Sequence, residues 1–229
     1  MYKLFLFCGI FLSLMQNNAR AASYEAMMRK CREKMAENPP RISVVVNYGK
    51  LQYDFSKDND DLVRMYKQLN PDKPVIGKMH GLTNVSPSAT TDIRVTRQVI
   101  GEYYVCTTPA DIKINLRYEN PTVYILSSLR KGSCPYRLAL RHEQTHLDIA
   151  FTAMTLLAQI IKEKMPTIIE ELGPRITPLS DKSNIAVKLS NEYQSYLMPT
   201  FNLFQNTLIE QQELLDTPEN YKKESMICR

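Results

Sequence analysis

Apolar residues recur along this chain with two different periods, and each period predicts a different element. Met27, Met28, Cys31 and Met35 stand at helical spacing among the charges of residues 23–38, and Pro39-Pro40 stops the run, so a short helix is expected there. Residues 42–48 are rich in β-branched side chains and read as a strand. Residues 58–69 read as a helix opened by acidic residues, whose charge suits a helix N-terminus, and closed before Pro71. Glycine, proline and small polar residues make 71–91 an irregular connection with His80 in its middle.

A two-residue period follows. Residues 93–100 and 102–107 flank Gly101 as in a hairpin, and Ile112, Ile114, Leu116 and Tyr118 alternate with Lys113, Asn115 and Arg117, which gives one buried and one wet face. Residues 122–127 add a further edge, so an antiparallel sheet of about four or five strands is expected. After a polar turn at 130–133, Pro135 fits the first turn of a helix, where its missing N–H costs nothing. Leu138, His142, Thr145, Ile149, Thr152, Leu156 and Ile160 then recur every three or four residues, Pro166 is a kink position, and Gly173-Pro174 end the helix. A second long helix is expected from an N-cap at Ser180 or Asp181, through Ile185, Leu189, Tyr193 and Tyr196 and a kink at Pro199, to about Asp216. The fold class that results is α+β, a small antiparallel β-sheet packed against a long C-terminal helical hairpin.

The N-terminus changes the compartment. A basic start at Lys3, an apolar stretch over 4–15 and the small-x-small ending Ala19-Arg20-Ala21 form a signal-peptide pattern, too short for a comfortable membrane span. Residues 1–21 are therefore read as a leader and 22–229 as a single exported domain, periplasmic or secreted, with no stable membrane insertion after cleavage. Loss of Lys3 and Arg20 lowers the formal charge from +5 to about +3. No basic cluster interleaved with aromatics marks a nucleic-acid surface. Of five cysteines, Cys8 lies in the leader, leaving Cys31, Cys106, Cys134 and Cys228, an even number that reads as two disulfides in an exported chain. Three pairings exist; Cys106 with Cys134 and Cys31 with Cys228 is the favoured one, and the wide spacing argues against a thiolate zinc site.

The chemistry lies on the first long helix. His142-Glu143-Gln144-Thr145-His146 is an H-E-x-x-H pattern that uses two of only three histidines in the chain. Positions i and i+4 share a helix face about 6 Å apart along the axis, so both imidazoles can reach one ion. In a zinc hydrolase of this pattern the histidines hold Zn2+ and the carboxylate, here Glu143, acts as general base on water and returns the proton to the leaving amine. A catalytic site needs a third protein ligand. Counting back from Leu172 to His142, and an equal number of residues forward from Asp181, reaches Gln211 and so puts its neighbour Glu210 level with the histidines; Glu210 ranks first as third ligand and His80 second. Asp148 lies about 200° round the helix from His146 and suits only a supporting role, such as a pair with Arg141. Tyr104, Tyr193, Tyr196 and His80 are available to stabilise an oxyanion, and the sequence does not choose among them.

The stretch Leu-Arg-His-Glu-Gln-Thr-His-Leu-Asp-Ile at 140–149 resembles the H-E-Q-x-H-x-D-I motif of a bacterial family of exported, predicted zinc-dependent proteases. The likeness extends over about residues 45–215, through strands around Cys106, residues 112–125 and Cys134 shortly before the motif helix. The family usually has a small residue where Thr145 stands, and some relatives carry a histidine in the C-terminal helix that this chain lacks. The resemblance implies a periplasmic or secreted metallopeptidase acting on a peptide or protein, with peptidoglycan crosslinks equally compatible. The alternative is a non-catalytic envelope or secreted metal-binding or interaction protein.

Overall fold

The computed structural model describes residues 23–75, 78–181 and 183–228; residues 1–21, expected from the sequence to be a leader, lie outside them. The fold is mixed α+β, 53% helical and 25% strand, with two small sheets and long helices. Helix α1 covers 23–37, as the methionine spacing and Pro39-Pro40 require. Strands β1 (Arg41–Asn47) and β2 (Gln52–Asp54) precede α2 (Asn59–Leu69), and β3 (Gly81–Asn84), β4 (Pro87–Ile100), β5 (Tyr104–Tyr118) and β6 (Thr122–Ile125) follow. The chain continues into α3 (Cys134–Leu172), β7 (Arg175–Pro178), α4 (Ile185–Leu215) and α5 (Pro218–Ser225).

Two sheets replace the single antiparallel one expected from the sequence. A four-stranded sheet has the order β1-β5-β4 with β7 also paired to β5, and a three-stranded sheet has the order β2-β6-β3. In the second, β3 runs antiparallel to β6 but β2 runs parallel to it, so that sheet is mixed. β3 forms within the segment that reads as irregular, because four residues of Gly-Leu-Thr-Asn offer too little alternation to stand out. β5 is one continuous strand, and the alternation expected in its second half holds: Ile112, Ile114, Leu116 and Tyr118 are all buried.

The chain clusters into two compact units. The first takes the chain up to Ser43 with Thr91–Lys113 and Met165–Tyr193. Within it a disulfide joins Cys31 on α1 to Cys106 on β5, and Arg41 and Arg94 converge on Asp111. Asn184 caps α4 by accepting from Val187 N at 3.3 Å, while Asp181 accepts from Ser183 N at 2.8 Å in a turn before the helix. The N-cap is thus Asn184, beyond the Ser180 or Asp181 expected, a shift of about 5 Å along the axis.

The second unit takes Val44–Thr90, Ile114–Lys164 and Gln194–Arg229. Its core is built where β6 meets the first turns of α3: Val123 and Ile125 pack with Tyr136, Ala139 and Leu147. On another side Leu62 of α2 meets Leu82 and Leu126. Each fully buried aliphatic side chain here stabilises the unit by roughly 1.5–3 kcal/mol. Tyr118 donates its hydroxyl to the Ala150 carbonyl at 2.8 Å, tying β5 to α3. A second disulfide joins Cys134 at the start of α3 to Cys228. The observed pairs, Cys31 with Cys106 and Cys134 with Cys228, correct the favoured assignment. Each cysteine pairs inside its own unit, because the chain reverses after α4 and α5 carries its end back to α3, a turn that cysteine spacing does not encode.

Candidate metal centre

His142, Glu143 and His146 lie on α3 where its core-facing stripe, Ala139, Leu147 and Ala150, turns toward β3 and the end of α4. All three polar side chains are buried, at 5%, 5% and 7% exposure, unusual for ionisable groups without partners. The partners come from elements far along the chain. Nε2 of His142 and Nε2 of His146 are 3.2 Å apart, and Asp216 Oδ1 stands 3.0 Å from the first and 3.2 Å from the second. Tetrahedral zinc with bonds of about 2.0 Å places its ligand atoms about 3.3 Å apart, so this near-equilateral triangle fits such an ion. Among the described residues, His142, His146 and Asp216 form the group able to hold a metal.

The other nitrogen of each ring is engaged as a metal-binding histidine requires. Nδ1 of His142 is 3.1 Å from Glu224 Oε2, and Nδ1 of His146 is bonded to Gln212 Oε1. Gln212 also donates Nε2 to the His146 carbonyl at 3.0 Å, which fixes which way its amide points. With a proton on Nδ1 facing each of these acceptors, a neutral ring would present a bare Nε2 to an ion. Tyr221 stacks on His142 with ring centres 5.0 Å apart and donates its hydroxyl to Asp216 Oδ1 at 2.6 Å.

Glu143 is held from the sheet side. Thr83 Oγ1 on β3 lies 2.8 Å from Glu143 Oε2 and 3.0 Å from the Glu143 carbonyl. Gly81 lets the strand approach: a Cβ there would sit 2.6 Å from both Cγ and Oε1 of Glu143. Burial pushes the Glu143 carboxyl pKa up, with His146, His142 and Thr83 pulling the other way without cancelling it. Burial also raises the Asp216 pKa in principle, but hydrogen bonds from His142 and His146 win and hold it well below the ordinary carboxylate range.

Burial lowers both imidazole pKa values, yet the Asp216 hydrogen bond and the Glu143 charge outweigh it, and both end above 6.5. The sign follows. A histidine whose pKa rises on folding contributes stability that is complete below its unfolded value and is lost as pH climbs through the folded value. Metal binding has the opposite slope, since it needs both rings neutral. The metal-free protein is expected to melt at lower temperature as pH rises from about 6 to about 8, whereas the metal-induced gain in melting temperature grows over the same interval. Thermal unfolding with and without zinc reads both slopes.

The carboxylate expected from the helical count is not the one found beside the histidines. Glu210 is exposed on α4 and is not part of the group; Asp216, just beyond the helix end, takes its place. Counted in the same way from the observed N-cap Asn184, the position level with His142 is Leu214, two residues before Asp216. His80, the second choice, is exposed, and its main-chain carbonyl accepts from Leu126 N at 2.9 Å. Asp148 is exposed on α3, and the supporting contacts belong to Glu224 and Gln212. Of the tyrosines considered, Tyr104 and Tyr193 belong to the first unit and Tyr196 is exposed, while the tyrosine at the cluster is Tyr221. The local signal for this end of the chain was Asp216-Thr217-Pro218, a helix break with an N-cap and a proline at the first position of the next helix. Comparison with protein-family models, with curated proteins and with solved structures returns no match, so the residues themselves carry the argument.

Proposed function

We propose that this chain is an exported zinc-dependent peptidase or amide hydrolase in which His142, His146 and Asp216 hold the ion and Glu143 is the general base. The observation that carries the reading is the convergence of two Nε2 atoms and one Oδ1 atom within 3.0–3.2 Å, beside a buried glutamate. A divalent ion there supplies Lewis-acid polarisation of a carbonyl and acidifies water. Two imidazoles and one carboxylate form a donor set suited to catalytic zinc.

The protein's own groups do the rest. Glu224 and Gln212 hold the two rings in the tautomer that presents Nε2. Asp216 is the open side of the cluster, its side chain 38% exposed against 5% for His142, so water and substrate approach from there. Glu143, whose pKa burial raises, is placed to take a proton from water and pass it to a departing amine. Thr83 steadies the carboxylate for that transfer. Export is supported by two disulfides, which suit an oxidising compartment, and by the leader pattern at 1–21. The substrate is a peptide or protein, or a peptidoglycan crosslink, since all present the same amide to the site.

The test is hydrolysis of a mixed peptide library and of crosslinked peptidoglycan fragments by the zinc-loaded protein, with chelation and zinc return as controls. Cleavage that disappears on chelation and returns with zinc supports the reading. The deep burial of Glu143 and both rings favours one alternative, a non-catalytic metal-binding protein. Stoichiometric zinc with no cleavage of either substrate class would establish it.

Gly81→Ala tests the base position. The added methyl meets the movable end of Glu143, so the carboxylate gives way before the strand does. Overpacking of this kind costs about 1–3 kcal/mol of stability. Expected results are retained zinc and a fall in kcat, measured by elemental analysis and initial rates.

A further inference from the structure

The segment after Asp216 belongs to no motif, yet two of its residues, Tyr221 and Glu224, reach the cluster. Thr217 caps α5 by accepting from Asn220 N at 3.2 Å, and Asn220 Nδ2 donates back to the Leu215 carbonyl at 2.9 Å. One turn on, Tyr221 covers the face of His142, and three residues later Glu224 meets His142 Nδ1. Cys228 then closes the segment onto Cys134, on the same helix as His142 and about two turns before it.

Little else holds this segment down. Neither α5 nor the 3-10 turn Met226–Cys228 has a buried residue, and Met226 and Ile227 are 51% and 57% exposed. A helix of eight residues is too short to be stable alone. The tether therefore supplies what packing does not: it keeps Glu224 at a high effective concentration beside His142.

We propose that residues 217–228 are a disulfide-held clamp on the metal cluster, in which Glu224 is a positioning residue for His142 and the Cys134–Cys228 bond keeps it in place. Reduction by a dithiol then weakens metal binding. A thiolate of the dithiol attacks one sulfur, the S–S bond breaks, and the other cysteine leaves as a thiolate and takes a proton. The second thiol of the reagent resolves the mixed disulfide, so two electrons pass to the cystine, two cysteine thiols form and the reagent is oxidised to its own disulfide.

The inference rests on the metal reading above, and the experiment separates the two. Zinc affinity is measured by chelator competition on the mature chain and on E224A, E224Q, C134S/C228S and C31S/C106S. Hydrogen exchange is followed on the same proteins without metal. The expected result is a loss of about 10–100-fold in zinc affinity for E224A and for C134S/C228S, as for other partners of metal-bound histidines. E224Q recovers part of it, because its amide oxygen still accepts from Nδ1–H, and C31S/C106S leaves affinity unchanged. Without metal, amides of 217–228 exchange faster in C134S/C228S while those of α3 around His142 stay protected. Unchanged zinc affinity in E224A, or unchanged exchange of 217–228 in a C134S/C228S protein whose α3 is protected, would overturn the clamp. Should C134S/C228S fail to fold, E224A and its recovery in E224Q decide the matter. Wild type that binds no zinc removes the metal reading, and with it Glu224 as a positioning residue.

Discussion

Asp216→Ala is expected to strip the metal from the protein, and Glu210→Ala to leave it in place. Among the described residues Asp216 Oδ1 meets both Nε2 nitrogens, at 3.0 and 3.2 Å, whereas Glu210 is exposed on α4, well before Asp216. Removal of one of three protein ligands costs more than the roughly 10–100-fold lost when a supporting partner goes. A second effect adds to it: the Tyr221 hydroxyl, 2.6 Å from Oδ1, loses its acceptor. Asp216→Asn separates the two, since its amide keeps an oxygen for Tyr221 but not the charge. Elemental analysis of the purified variants reads the outcome. Full metal in Asp216→Ala with none in Glu210→Ala would return the ligand to the helix position first expected.

Glu143→Gln should keep the metal and lose the reaction. The glutamate contributes no atom to the His142–His146–Asp216 triangle, so metal content is expected to stay at the wild-type level. The amide cannot accept a proton from water, and loss of a positioned base lowers the rate by about 10²–10⁴-fold. Thr83 can still donate to the amide oxygen, which keeps the variant close to the native packing. Initial rates and metal content measured on one preparation check both halves. Unchanged turnover in Glu143→Gln would assign the base elsewhere.

Legibility differed sharply between the two halves of the site. His142, Glu143 and His146 could be read directly, because three residues within one and a quarter turns are placed relative to each other by helix geometry alone. The helix itself was equally plain from its apolar spacing, as was the buried face of Ile112, Ile114, Leu116 and Tyr118 on β5. Asp216 was not. Its place depends on where α4 starts, and Asn184 rather than Asp181 caps that helix. An offset of three residues moves every level along the helix by about 4.5 Å, more than the 3.0–3.2 Å between the atoms of the cluster.

Glu224 and Gln212 were further from reach. An acid on a short polar helix looks like a solvated charge until the chain is seen to double back after Asp216. The disulfide pairing failed for a related reason: four cysteines allow three pairings, and only the return of Cys228 to the start of α3 selects one. β3 adds a third case, since its importance lies in a missing side chain at Gly81 that admits Glu143, a contact with no counterpart in the strand's own sequence.

The sequence by itself determined what short-range geometry controls: the long helices, the alternating strand, the facing histidines with a glutamate between them, and a cysteine count that suits an oxidising compartment. The tertiary structure alone decided that Asp216 joins the two histidines, which side chains meet the rings, which strand lies against Glu143 and how the cysteines pair. These depend on chain reversals whose position is set by single caps and breaks, where a shift of a few residues costs little locally and yet changes which side chains meet tens of residues apart.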